Sequence, residues 1–204
     1  MALTTTDPKV IQDPPFARFL FGSTLMAPVW LLLRLYVGYQ WLTSGWGKLQ
    51  NPKWVETGEA LKGFWANAVR IPEAPAKPPI TFDWYRGFLQ TLLDMEAYTW
   101  FAKLIVAGEV LVGIALILGL FTGIAAFFGG VLNWNFMMAG TASSNPLLFA
   151  ISVGLILAWK VAGYYGLDRF VLPLLGTPWQ PGTLVAPNET RRFGTARATR
   201  ATTA

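Results

Sequence analysis

The chain contains no cysteine and no histidine among its 204 residues. Without cysteine it forms no disulfide and offers no thiolate nucleophile or iron–sulfur ligand. Without histidine it lacks the commonest protein ligand for haem, zinc and copper. We therefore expect no covalently bound or metal-ligated cofactor. Any redox role requires a diffusible substrate such as a quinone, or a cofactor that a partner subunit holds.

Charge is also scarce, because only 13% of the residues are Asp, Glu, Lys or Arg while 53% are hydrophobic. Soluble domains usually carry about 25% charged residues. The uncharged stretches are of membrane length, and a soluble fold would have too little polar sequence to cover them. The composition predicts an all-α membrane protein, a four-transmembrane-helix bundle that passes several times through the plasma membrane.

Four predicted spans are each close to the ~20 residues that cross the hydrocarbon core. They cover residues 26–46, 99–119, 121–140 and 146–165, inside a membrane domain of residues 26–170. A polar or interfacial segment, residues 1–25, precedes this domain. Residues 171–204 form a basic tail whose arginines favour the cytoplasmic side and anionic lipid. This charge is better suited to a lipid bilayer than to nucleic acid.

Residues 50–98, between the first two spans, have a different character. Residues 54–69 have the pattern of an amphipathic helix, a proline-rich linker follows, and residues 81–96 predict a second short helix. Several tryptophans suit a position at the lipid headgroups. We predict an amphipathic helical cap here, with a disordered loop as the alternative. Lys and Arg counts on the two sides nearly balance, and we place both termini in the cytoplasm and the cap outside.

Two charges lie deep inside predicted spans. Arg34 is in the first span and Glu109 in the second. Inserting each such charge into the bilayer costs about 2.5–3.5 kcal/mol, so a charged residue in a span is expected to have a structural or functional role. With the two antiparallel spans aligned end to end, both residues lie near the midplane, which predicts a buried Arg34–Glu109 ion pair. The pair either carries out chemistry, with both residues catalytic, or only fixes the register of the helices.

Three further polar residues are candidate substrate ligands. Asn133, in the third span, is predicted at a depth near that of Glu109, as an interhelical hydrogen-bonding group or a ligand contact. Lys48 closes the first span and Lys103 lies near the start of the second. The two lysines either extend to the interface along their aliphatic stems or form an anion-binding site at the mouth of the bundle.

Two local motifs resemble a known family. The first span contains Leu33-Arg34-Leu35-Tyr36-Val37-Gly38, followed by Ser44-Gly45-Trp46-Gly47-Lys48-Leu49. The second contains Gly108-Glu109-Val110-Leu111-Val112-Gly113 and a Leu-Gly end. Together with a membrane asparagine in the third span, these motifs resemble the DoxX/DoxD family over about residues 26–170. The long insert is similar to that of the DoxD branch, the larger subunit of thiosulfate:quinone oxidoreductase.

This resemblance implies a four-helix membrane protein that passes electrons from thiosulfate to a membrane quinone, giving tetrathionate. It also implies that Arg34, Lys48, Glu109 and Asn133 line the site. A non-catalytic subunit that anchors or stabilises a larger membrane complex is the alternative, and a small anion or solute carrier is the third. A protein partner subunit or a homo-oligomer is expected in each case.

Overall fold

The computed structural model describes residues 13–176, and every regular element in this range is a helix. Residues 1–12 and residues 177–204, which are most of the predicted basic tail of residues 171–204, lie outside the described part. The helices, in chain order, are α1 (Pro15–Gly22), α2 (Ala27–Leu49), α3 (Pro52–Val55), α4 (Glu59–Val69), α5 (Asp83–Asp94), α6 (Tyr98–Leu118), α7 (Thr122–Met138), α8 (Asn145–Leu157), α9 (Trp159–Ala162) and α10 (Asp168–Leu174).

The all-helical prediction is confirmed, and the long helices α2, α6 and α7 begin and end close to the first three predicted spans. The fourth predicted span corresponds to α8 and α9, which meet at Ala158. Within the described residues, α6 alone is long and apolar enough to cross a membrane by itself. The helical segments Pro15–Gly22 and Thr24–Leu49 satisfy this criterion of length and hydropathy only when they are taken together as one span. The two segments are bent by 52° relative to each other. The number of crossings therefore stays a prediction.

A first hydrophobic core lies where α2, α6, α7 and α8 meet. Trp30 and Trp41 of α2, Leu116 of α6 and Leu155 of α8 are all buried in it. These helices are apolar around most of their circumference, as expected where one face meets protein and the other lipid. Small residues let the backbones approach closely, since a Cβ on Gly113 would lie 2.6 Å from the amide nitrogen of Leu42.

A second core lies under the helices inserted between α2 and α6. Leu61 and Trp65 of α4 and Tyr85 and Leu89 of α5 pack with Ile105 of α6. The N-terminal part of α6 therefore contacts the inserted helices, while its C-terminal part contacts α2. Whether the inserted helices cap the bundle at the membrane surface stays a prediction.

The connection between α6 and α7 is short and builds a sharp turn. Gly119 has φ 65° and Phe121 has φ 48°, both in the left-handed region. Glycine adopts that conformation without strain, so α6 ends there and α7 returns antiparallel. Ser23 and the 3₁₀ turn Thr24–Met26 make the comparable break between α1 and α2.

Candidate functional site

Glu109 is fully buried and forms an ion pair with Lys48. The ammonium donates to Oε2 at 2.7 Å and to Oε1 at 2.9 Å, and also to the Ser44 hydroxyl at 2.7 Å. Ser44 hydrogen-bonds the carboxylate as well. The rings of Trp54 and Phe136 lie 5.3 and 5.8 Å from the Lys48 nitrogen. The buried carboxylate is thus paired with one cation and one hydroxyl, and two aromatic rings stabilise the cation.

The predicted Arg34–Glu109 pair is wrong, and the reason is the register of α2 against α6. A Cβ on Gly45 would lie 3.0 Å from the Glu109 Cβ, so Glu109 faces the C-terminal part of α2. Gly45 follows Arg34 by about three turns, which is about 16 Å along the axis. The helices are not aligned end to end, because the first turns of α6 pack on the inserted helices instead.

Arg34 belongs to a separate polar cluster at the other end of α2. Its guanidinium donates to the Tyr165 carbonyl oxygen at 3.2 Å and is attracted by the carboxylate of Asp168. The side chain passes between Gly119 and Gly166, where added Cβ atoms would collide with its Nη1. Arg34 and Glu109 therefore do not share one site.

Asp168 completes this cluster and was not anticipated from the sequence. Its fully buried carboxylate accepts from the backbone N–H groups of Phe121 and Thr122, at 2.5 and 2.9 Å. An acidic side chain at the start of α7 satisfies unpaired N–H groups and complements the helix dipole. A lone aspartate 46 residues away gives no sequence signal for this role.

Lys48 also borders a polar groove of about 510 Å³ between α2 and the α7–α8 connection. Its polar lining comprises hydroxyl and amide groups together with the ammonium of Lys48, and its apolar lining is Trp41, Phe136 and Leu148. The hydroxyl and amide residues are Gln40, Thr43, Ser44, Thr141, Ser143, Ser144 and Asn145. Lys103 is exposed on α6 and is not among the residues that line this groove.

Asn133 is fully buried on α7, and neither its amide nitrogen nor its oxygen has a hydrogen-bond partner among the described residues. The interhelical hydrogen bond that its sequence position favoured is therefore not formed there. Asn135, two residues further on, faces another side of the helix. The Tyr85 hydroxyl donates to its side-chain oxygen at 3.0 Å and to its backbone oxygen at 3.1 Å.

An apolar pocket of about 420 Å³ lies between α6, α7 and the inserted helices. Aromatic and aliphatic side chains form most of its wall, and Tyr85 and Asn135 supply polar groups. Leu104, Leu111 and Phe128 line the pocket and are also exposed on the outer surface of the bundle. Burial raises the pKa of Tyr85 to about 12, so this phenol stays protonated and remains a hydrogen-bond donor at neutral pH.

Phe136 lines both the groove and the pocket. One face of the site is thus polar and carries Lys48, while the other is apolar and carries Tyr85. Sequence reasoning identified Lys48 and Glu109 but missed the Tyr85–Asn135 pair. Tyr85 is one of six tyrosines in the chain, and its partner lies 50 residues away, so only the folded arrangement distinguishes it.

The apolar helices, the buried ion pair and the pocket that reaches the outer surface are consistent with a helical membrane protein. Residues 29–144, more than half of the chain, match the DoxX family model. The chain therefore belongs to the DoxX family, a family of membrane proteins. No curated protein and no solved structure matches the chain in the same comparisons.

Proposed function

We propose that this chain is the membrane subunit of a quinone-linked oxidoreductase and that the quinone headgroup binds in the apolar pocket. The observation that carries the proposal is the pocket of about 420 Å³, which is lined mainly by apolar side chains and has a Tyr–Asn pair in its wall. Ligand sites are typically of this size, mostly apolar, with few polar groups that orient the ligand.

The pocket suits a ring that carries carbonyl groups and a long apolar tail. Aromatic side chains such as Phe64, Phe101 and Phe128 offer flat surfaces for the ring. The Tyr85 hydroxyl has one hydrogen, now donated to Asn135, and we propose that a quinone carbonyl replaces Asn135 as its acceptor. The exposed part of the wall, at Leu104 and Leu111, lets a ligand enter from the lipid rather than from water.

The DoxD-like insert suggests thiosulfate as the electron donor. In that reaction two thiosulfate dianions form one sulfur–sulfur bond and release two electrons. One quinone accepts the two electrons and two protons and becomes quinol. We assign Lys48 to attraction of the dianion from the groove, Glu109 to proton handling and Asn133 to a ligand contact. Any further redox cofactor resides on a partner subunit.

The positions of Lys48 and Glu109 support their proposed roles, whereas those of Arg34 and Lys103 do not support a role in ligand binding. Lys48 and Glu109 are paired beside Phe136, which borders both cavities. Arg34 lies in the cluster with Asp168, and Lys103 lies on the exposed face of α6. We therefore propose that Arg34 holds the ends of α6 and α10 together, and we assign no ligand to Lys103.

Turnover by the purified protein tests this function. Decylubiquinone reduction by thiosulfate is measured in detergent for the native chain and for Glu109→Gln, with folding checked by circular dichroism. We expect turnover by the native chain and a loss of at least tenfold in the variant, because a buried proton-handling group is removed. No turnover, from folded protein given several quinones, contradicts the proposal and favours a subunit that anchors a larger complex.

A further inference from the structure

We propose that the groove beside Lys48 binds a small oxyanion together with one proton, and that Glu109 is the residue that takes up the proton. The inference rests on the roles proposed above for Lys48 and Glu109 and deepens them, since it concerns coupled binding of an anion and a proton that requires no electron transfer and no quinone. It rests on the relative positions of the open groove, the ammonium of Lys48 and the buried carboxylate of Glu109.

Lys48 stands between the groove and Glu109. Its side chain is 18% exposed and lines the groove, whereas the side chain of Glu109 is 0% exposed and does not. No acidic residue lines the groove, and Lys48 is its single cation among the described residues. An anion in the groove therefore meets the ammonium directly and competes with the carboxylate for it.

The start of α8 adds a second attraction for an anion at the same place. Ser144, the residue before this 13-residue helix, makes no side-chain hydrogen bond to the first turn. Both Ser144 and Asn145 line the groove. The positive end of the helix dipole favours negative charge at this position. The neighbouring hydroxyls of Ser143 and Thr141 are donors suited to oxyanion oxygens.

With Glu109 ionised, the pair is electrically neutral, and the groove has little net attraction for an anion. Protonation of Glu109 releases the positive charge of Lys48 towards the groove. Conversely, an anion that captures Lys48 leaves Glu109 with Ser44 alone, and a fully buried carboxylate without a cation favours the neutral acid. Binding of the anion and protonation of Glu109 therefore promote each other.

Other charged groups do not replace Lys48 in this exchange. On α2 the next charge is Arg34, about three turns away, and it faces Asp168. The helices α7 and α8 contain no ionisable residue. The helices α3 and α4 pack on α6, and their charged residues, Lys53, Glu59 and Lys62, are exposed. Lys103, the other charged residue of α6, is also exposed. Lys62 lies over the ring of Tyr98.

The test measures anion binding by equilibrium dialysis with radiolabelled thiosulfate, in detergent, without quinone and at constant ionic strength. For the native chain we expect the dissociation constant to rise between about pH 6 and about pH 8, by up to about tenfold per pH unit, the limit for one linked proton. A pH indicator in weak buffer should register uptake of one proton for each anion bound.

Two variants separate the parts of the inference. Glu109→Gln should bind the anion equally well at both pH values and without proton uptake, whereas Lys48→Gln should bind at least tenfold more weakly. Lys160→Gln, which changes an exposed lysine on α9, is the matched control and should behave as the native chain.

Anion binding by the native chain that is independent of pH, or no binding at all, overturns the inference. Both results come from the unmodified protein, so they stand even if a variant fails to fold. Failure of the quinone part of the proposed function is recognised separately, because decylubiquinone binding in the apolar pocket is measured without the anion.

Discussion

At the scale of single residues, a fully buried carboxylate such as that of Glu109 requires a cation, and Lys48 provides it at 2.7 Å. The sequence predicted which residues are exceptional, because Arg34, Lys48 and Glu109 are charges in or beside apolar segments. It did not predict their partners, since pairing depends on how two helices align. Asp168 and Tyr85 were missed for the same reason, as each is defined by a partner far along the chain.

The ion pair predicts an asymmetric effect of removing its members. Lys48→Met leaves a buried carboxylate without a cation, and we expect a loss of about 3–5 kcal/mol in the free energy of unfolding. The double variant Lys48→Met/Glu109→Gln has no unpaired charge and should recover most of that loss. Unfolding in mixed micelles with increasing denaturing detergent measures both. Equal destabilisation of the single and double variants would contradict the pairing.

At the scale of elements, hydrophobic length was enough to locate α2, α6 and α7 within a few residues. The relative shift of α2 and α6 was not predictable, because both helices are apolar over most of their length and many registers bury similar surface. Small residues fix the register observed: Gly38, Gly45 and Gly113 lie where the two backbones are closest.

The helix contact predicts a strong effect of a side chain at Gly113. A Cβ there would approach backbone atoms of Leu42 to within 2.6–2.8 Å, so Gly113→Val must separate α2 from α6. We expect destabilisation of about 1–3 kcal/mol from overpacking, measured by the same unfolding assay. Gly47→Val is the control, because nothing lies within 4 Å of a Cβ at Gly47. Similar stabilities for the two variants would show that this contact is not close.

At the scale of the whole molecule, family membership and the all-helical fold agree with the sequence, while the sidedness of the chain stays a prediction. Lys and Arg counts differ little between the two sides, so charge alone does not orient the protein. The two hydrophobic cores divide the structure along α6: one lies against α2, α7 and α8, and the other under the inserted helices.

The predicted orientation is testable because the chain has no cysteine. We expect Ala76→Cys, in the exposed linker between α4 and α5, to react with an impermeant maleimide added to intact cells. Phe170→Cys, exposed on α10, should react only after the membrane is permeabilised. The reverse labelling pattern would invert the topology and place the groove beside Lys48 on the cytoplasmic side.

Quinone binding in the apolar pocket is tested most directly by a variant that fills the pocket. Gly108 lines the pocket, and a Cβ there would meet only a side-chain atom of Leu132 at 3.8 Å, so Gly108→Leu fills the space without a backbone clash. Gly47→Leu adds the same side chain to α2 in open space.

Decylubiquinone binding is measured for the native chain and both variants by quenching of tryptophan fluorescence, with Trp65 in the pocket wall as a reporter. We predict that Gly108→Leu weakens binding at least tenfold while Gly47→Leu leaves it unchanged. Equal affinities in all three proteins would place the quinone elsewhere and contradict the proposed function.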